Sequence, residues 1–135
     1  MKFLAIALLW CSNGYVKDRC DFPISSGDFC ANDTQYTTMK NVFGYNAATG
    51  RCEQYIYYGC GGYGNRFNTR QECWNTCGRK SRSKCTLPDT GLSGAHWRYY
   101  YDIKSDTCKS RYYFYYTTDE VNRFFNLRDC EIECK

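Results

Sequence analysis

After an apolar start, hydrophobic positions come along this chain in short aromatic runs rather than long periodic stretches. Phe3 to Trp10 is continuously apolar. Beyond it, two blocks repeat one pattern: an aromatic-rich run, a polar turn, a second aromatic run, then a short segment with two cysteines four apart. In block one the runs are Val42-Phe43-Gly44-Tyr45-Asn46 and Gln54-Tyr55-Ile56-Tyr57-Tyr58, split by a turn over Asn46 to Gly50. Block two has Arg98-Tyr99-Tyr100-Tyr101-Asp102 and Arg111-Tyr112-Tyr113-Phe114-Tyr115-Tyr116, split by Asp102 to Asp106. Aromatic runs on either side of a turn predict a β-hairpin in each block. A short helix should follow each hairpin. The first lies near Thr69 to Cys77, with Thr69 as N-cap and Glu72 completing a capping box. The second lies near Asn126 to Cys134, capped by Asn126. Cysteines four apart stand one helical turn apart on one face, where both can reach the hairpin and the N-terminal segment.

Units this small bury too little apolar surface to be stable without staples. The 135-residue chain carries 11 cysteines, which reads as a disulfide scaffold made in an oxidising compartment. Lys2, the apolar run and the small residues Ser12 and Gly14 form a signal-peptide pattern with a cut after Gly14, and the run is too short to span a bilayer. Removing residues 1–14 also removes Cys11 and leaves an even number of cysteines, as complete pairing requires. The expectation is a secreted, monomeric chain. Residues 15–78 form the first domain, 79–84 a basic linker, and 85–135 the second domain.

Charge refines that division. The linker, Arg79-Lys80-Ser81-Arg82-Ser83-Lys84, holds four basic residues and no acidic ones, while the blocks on either side are close to neutral. A nucleic-acid binder would spread its basic residues over a folded face. The linker reads as a solvated tether, a heparin-like polyanion contact, or a cleavage site. Gly59-Cys60-Gly61-Gly62-Tyr63-Gly64 contains a G-x-G-x-x-G string, but no βαβ unit surrounds it, so a nucleotide site is not expected. His96 is the only histidine, too little for a catalytic set. No cofactor, no zinc site and no enzymatic activity are expected.

In block one Cys52, Cys60, Cys73 and Cys77 are spaced by 8, 13 and 4, with Cys20 and Cys30 upstream. With Phe43-Gly44-Tyr45-Asn46, Tyr57, Gly59-Cys60-Gly61-Gly62, Asn65 and Phe67, this closely resembles the Kunitz (pancreatic trypsin inhibitor) family. Six cysteines alone allow fifteen pairings; the resemblance implies Cys20–Cys77, Cys30–Cys60 and Cys52–Cys73. Block two matches at Cys85, Cys108, Cys130 and Cys134, with Asn122 and Phe124 answering Asn65 and Phe67. It has no partners for Cys30 and Cys60, so the implied bridges are Cys85–Cys134 and Cys108–Cys130. Each closes a long loop worth on the order of 3–4 kcal/mol, while Thr86 to Trp97 should lose its clamp. The fold class implied is small disulfide-rich α+β: two tandem Kunitz domains, each a twisted hairpin with a C-terminal helix. This architecture is similar to that of the two-domain tick salivary anticoagulants of the Ixolaris type.

The resemblance also implies an extended reactive-site loop over Cys30, Ala31, Asn32 and Asp33, backed by Tyr58, Gly59 and Cys60. Preorganisation gives such a loop its affinity, and the residue after Cys30 enters the protease's specificity pocket. Ala31 cannot pair the acid of a trypsin-like pocket, although a shallow elastase-type pocket would accept it. The stretch from Cys30 to Cys52 is longer than the family spacing, which leaves open whether Lys40 is presented instead. Tyr58 stands where the family has glycine, and Asn32-Asp33-Thr34 is an N-glycosylation sequon. These features point to binding of clotting proteases or their zymogens through exosites. The candidate exosite residues are Trp97, Tyr99 and Tyr100 on the unclamped segment, and Asp129, Glu131 and Glu133 on the last helix. The same tyrosines would otherwise fill the core, and the acids would be solvated. The alternative function is an ion-channel-blocking toxin, which usually offers a basic cluster that these near-neutral domains lack.

Overall fold

The computed structural model describes residues 18–135; the signal-peptide expectation, with Cys11 and the cut after Gly14, lies outside them. The first element among the described residues is a 3-10 turn at Arg19–Asp21. It is followed by β1 (Asp28–Phe29), β2 (Lys40–Asn46), β3 (Arg51–Tyr57), β4 (Gly59–Cys60) and α1 (Arg70–Ser81). A second 3-10 turn at Lys84–Thr86 leads to β5 (His96–Asp102), β6 (Thr107–Tyr113) and α2 (Leu127–Cys134). β2 pairs with β3 and β5 with β6, both antiparallel, while β1 pairs with β4. The second aromatic run of block two ends as a strand at Tyr113, so Phe114, Tyr115 and Tyr116 leave the sheet and are exposed.

The duplication extends to the polar interior. Asn65, 1% exposed, accepts the Tyr45 N–H (2.8 Å) and donates to the carbonyls of Tyr45 (2.7 Å) and Phe22 (2.8 Å). Asn122 repeats these bonds with Tyr101 (2.8 and 2.7 Å) and Leu87 (2.9 Å). Each amide ties a hairpin to the segment in front of it, and a buried amide is stable only when so satisfied. Disulfides Cys52–Cys73 and Cys108–Cys130 fasten each helix to its hairpin; Cys20–Cys77 and Cys85–Cys134 fasten it to the N-terminal segment. Cys30–Cys60 joins the loop to β4.

Three expectations change. Thr69 caps α1 by accepting the Glu72 N–H (3.1 Å), but the Glu72 carboxylate reaches Asn68 N (3.2 Å), one residue further back than a capping box requires. The 79–84 segment is not a solvated tether. α1 runs on through Ser81, where Gly78 packs so closely on Thr86 that a Cβ would collide with it. Lys80 pairs with Asp21 (3.0 Å) and Asp18 (3.5 Å), and the Lys84 ammonium donates to the carbonyls of Arg123 (2.7 Å) and Thr118 (3.1 Å). With both lysines engaged, the charge left for a polyanion is reduced to Arg79 and Arg82. The same region joins the two blocks. Buried Trp74 donates its indole N–H to the Cys134 carbonyl (3.1 Å), and Arg70 meets Asp106 at 2.6 Å.

The third change concerns Thr86 to Trp97, which is held without a disulfide. Asp89 accepts from Arg111 Nε (2.9 Å) and from the Tyr113 hydroxyl (2.7 Å). The Tyr113 ring carries the Arg111 guanidinium at 3.8 Å and that of Arg123 at 4.1 Å. Arg123, 3% exposed, donates to the carbonyls of Thr90 (3.0 Å) and Thr117 (2.9 Å), which lie in the two irregular segments before and after the second hairpin. A charged, hydrogen-bonded arginine on an aromatic face thus spans the region where block one has Cys30–Cys60.

Two outcomes follow. Arg123→Ala removes a buried guanidinium with its two carbonyl bonds and its stacking on Tyr113, and should cost about 2–3 kcal/mol, read as a lowered denaturation midpoint under non-reducing conditions. Burial, reinforced by Asp106 at Tyr101 and Asp89 at Tyr113, raises both phenol pKa values above their ordinary value. In the folded chain these phenols keep protons that the unfolded chain loses near pH 10, so stability should fall as pH rises past about 10. Burial also raises the Tyr55 phenol pKa, so spectrophotometric titration should show late ionisation of three of the 14 tyrosines, Tyr55, Tyr101 and Tyr113.

Candidate functional site

The loop at the free end of block one is built around a single carboxylate. Asp33 accepts from Thr37 N (2.9 Å), Thr37 Oγ1 (2.8 Å) and Thr38 N (2.8 Å). The Thr38 hydroxyl lies between Asp33 Oδ2 (2.7 Å) and the Tyr58 carbonyl (3.0 Å), with one proton to give. The bond from the Thr38 N–H, followed by those from its hydroxyl and from Thr37, holds the Asp33 carboxyl well below the usual carboxylate range. The longer stretch after Cys30 is therefore folded back on itself as a closed ring of residues.

Closing that ring shapes the reactive-site segment. The Asp33 N–H donates to the Cys30 carbonyl (2.9 Å), which makes Ala31 and Asn32 the central residues of a turn. A turn shortens the path of the backbone, whereas a substrate-like segment must be extended to lie along a protease cleft. Both residues are exposed, with the sequon asparagine beside the alanine. β1 and β4 bring Phe29 opposite Gly59 and Asp28 opposite Cys60, so the loop and the Tyr58–Cys60 segment share one end of the block. Lys40 begins β2 and donates to Asn68 Oδ1 (3.4 Å). Gly59 has φ +118°, and a Cβ there would strike the Thr38 side chain.

The second-block candidates do not form one face. Trp97 is 44% exposed, its ring 4.7 Å from that of Tyr112. Tyr99 is half-buried and bonded through its backbone to Phe124 (2.9 and 2.7 Å). Tyr100 alternates to the other side of β5, where it lines a hollow with Leu87, Pro88 and Ile103. On α2, Asp129 and Glu133 are one turn apart and line a hollow with Lys84 and Ile132; Glu131, two residues from each, falls on a different side. Burial lowers the Lys84 pKa, and Glu133, Asp119 and Asp129 oppose that shift. Cys85, Glu133 and Cys134 lie close enough to hold a metal, but the two sulfurs are bonded to each other and offer no thiolate.

What the sequence reading missed is an aromatic row at the loop: the Tyr36 ring lies 4.6 Å from Phe29, and Phe29 lies 4.5 Å from Tyr58. Among residues 34–39 the single aromatic, next to Thr37 and Thr38, was the available signal.

The Kunitz/Bovine pancreatic trypsin inhibitor domain profile matches twice, over residues 19–78 and 84–135. This chain belongs to the Kunitz family. Among its Kunitz relatives, papilin of Caenorhabditis elegans is 34% identical over 102 residues, 73% of this chain but 4% of that protein. The Kunitz-type serine protease inhibitor conotoxin Cal9.1c of Californiconus californicus is 43% identical over 63 residues, 47% of this chain and 93% of that protein. Among solved Kunitz structures, an NMR structure of Ixolaris concerned with its Factor X interaction has 28% identity and a TM-score of 0.35, covering 85% of this chain and 92% of that one. The chain thus spans a few per cent of the papilins it matches. The family is one of protease inhibitors.

Gly59→Ala should be destabilising, because the new methyl group would displace Thr38 and force a backbone conformation that L residues rarely adopt. The check is faster amide exchange at Thr37 and Thr38 with all five disulfides intact.

Proposed function

We propose that this chain is a secreted Kunitz-type serine protease inhibitor, an anticoagulant that binds clotting proteases or their zymogens partly through surfaces outside the active-site cleft. The observation that carries this reading is the Cys30–Asp33 turn: it removes Ala31 and Asn32 from the extended form that cleft insertion needs. The small side chain of Ala31 supports it further, since it leaves a trypsin-like pocket unfilled. A glycan on Asn32 would stand between that turn and a cleft. On the second block the exposed Trp97, packed against Tyr99 and Tyr112, supports the exosite reading, beside the candidates Tyr100, Asp129, Glu131 and Glu133.

The test takes residues 15–135, expressed under oxidising conditions, against trypsin, elastase, the clotting proteases and their zymogens. Direct binding and cleavage of a small substrate are measured side by side. Binding to a zymogen or an active-site-blocked protease, with small-substrate cleavage retained, is the expected result. Loss of small-substrate cleavage, with Ala31→Arg changing its potency, would return the function to the cleft. Absence of binding across the panel would end the protease reading and leave channel block as the alternative to assay.

A further inference from the structure

Within the protease-binding reading, on which this inference rests, we infer that the anchor of block one is Tyr36 at the tip of the Asp33-closed loop, not Ala31, and that its partner surface on the serine protease is apolar with a basic rim. Tyr36 is 56% exposed and Phe29 beneath it 45%. With Tyr58 the rings form a row that starts beside the Cys30–Cys60 bridge and ends at the loop tip. An aromatic side chain supported from below has few rotamers to lose on docking, so it suits an anchor.

The backbone is prepared for this role. Tyr36 has φ +55°, a left-handed conformation uncommon for a bulky residue, and such conformations persist where the surroundings dictate them. Here the dictating group is Asp33, whose bonds to Thr37 and Thr38 begin at the very next residue. Thr38 in turn is wedged against Gly59 and the Tyr58 carbonyl, which pins the loop to β4. The Met39 N–H donates to the Tyr36 carbonyl (3.3 Å), closing the tip from the other side. The loop therefore needs little ordering on binding.

Charge identifies the kind of surface it fits. From Asp21 to Met39 the chain has three carboxylates, Asp21, Asp28 and Asp33, and no lysine or arginine. Asp21 is paired with Lys80, which leaves Asp28 and Asp33 flanking the aromatic row. A basic rim around an apolar depression would complement that face, and an acidic cleft of the trypsin type would repel it.

The experiment compares residues 15–135 with Tyr36→Ala, Tyr36→Phe, Asp33→Ala and Ala31→Arg, each checked for five intact disulfides. Binding is measured to the active-site-blocked proteases of the panel at low and high salt. Tyr36→Ala should weaken binding by about 30-fold or more, as loss of an anchor does. Tyr36→Phe should stay near wild type. Asp33→Ala should weaken binding with the ring still present and raise amide exchange at Thr37 and Thr38, and Ala31→Arg should have little effect. Wild-type binding should weaken as salt rises. If the wild-type chain binds and Tyr36→Ala binds equally well, this inference is overturned while the protease reading stands. If the wild-type chain binds no protease, both fall.

Discussion

A half-buried hairpin and a helix of two or three turns cannot, at this size, bury enough apolar surface to offset the entropy of ordering them. In both blocks the constraint that resolves this is the pair of cysteines one turn apart on the closing helix. One of each pair reaches the hairpin and the other reaches the N-terminal segment, at Cys73 and Cys77 in the first block and Cys130 and Cys134 in the second. The remaining packing is arranged around those bridges. Trp74 lies in the same helical turn as Cys73 and Cys77, and its indole satisfies the carbonyl of Cys134. The core of one block thereby continues into the other.

The free ends of the two blocks show two solutions to one problem. Both must hold a loop against the segment that follows the hairpin. The first does so covalently, through Cys30–Cys60, and adds a longer stretch closed by Asp33. The second has no sulfur there and holds the loop with Arg123, Tyr113, Arg111 and Asp89. Such a clamp depends on the bonds from both terminal nitrogens of Arg123 and on its stacking on Tyr113, which offset the buried Nε that has no partner. Tyr113 serves this clamp, and Phe114 to Tyr116, continuing the same aromatic run, are released to the surface.

Element type was largely legible. The aromatic runs and turns marked both hairpins because period-two burial selects those residues, and Thr69 and Asn126 marked helix starts because their side chains satisfy free N–H groups. Helix ends were less legible. α1 continues through Ser81 because Gly78 fits against Thr86, a contact between residues of different elements that no local pattern encodes. The three acids of α2 looked like one face in a linear reading, but the helical repeat separates Glu131 from Asp129 and Glu133.

By itself, then, the sequence determined the duplication, the hairpin-and-helix order of each half, and membership in a family of disulfide-stapled inhibitors, since these follow from local propensity, cysteine spacing and motif. Only the tertiary structure decided what the free ends present. Ala31 lies within a turn because Asp33 bonds to the Cys30 carbonyl and to two threonines further along, and Tyr36 stands on Phe29 and Tyr58 because β1 pairs with β4. Arg123, far from Thr90 in sequence, replaces a missing disulfide. The Asp33 bonds are local but fit no repeating pattern, while the Tyr36–Phe29–Tyr58 row and the Arg123–Thr90 bond join residues far apart in the chain, so neither composition nor periodicity carries them.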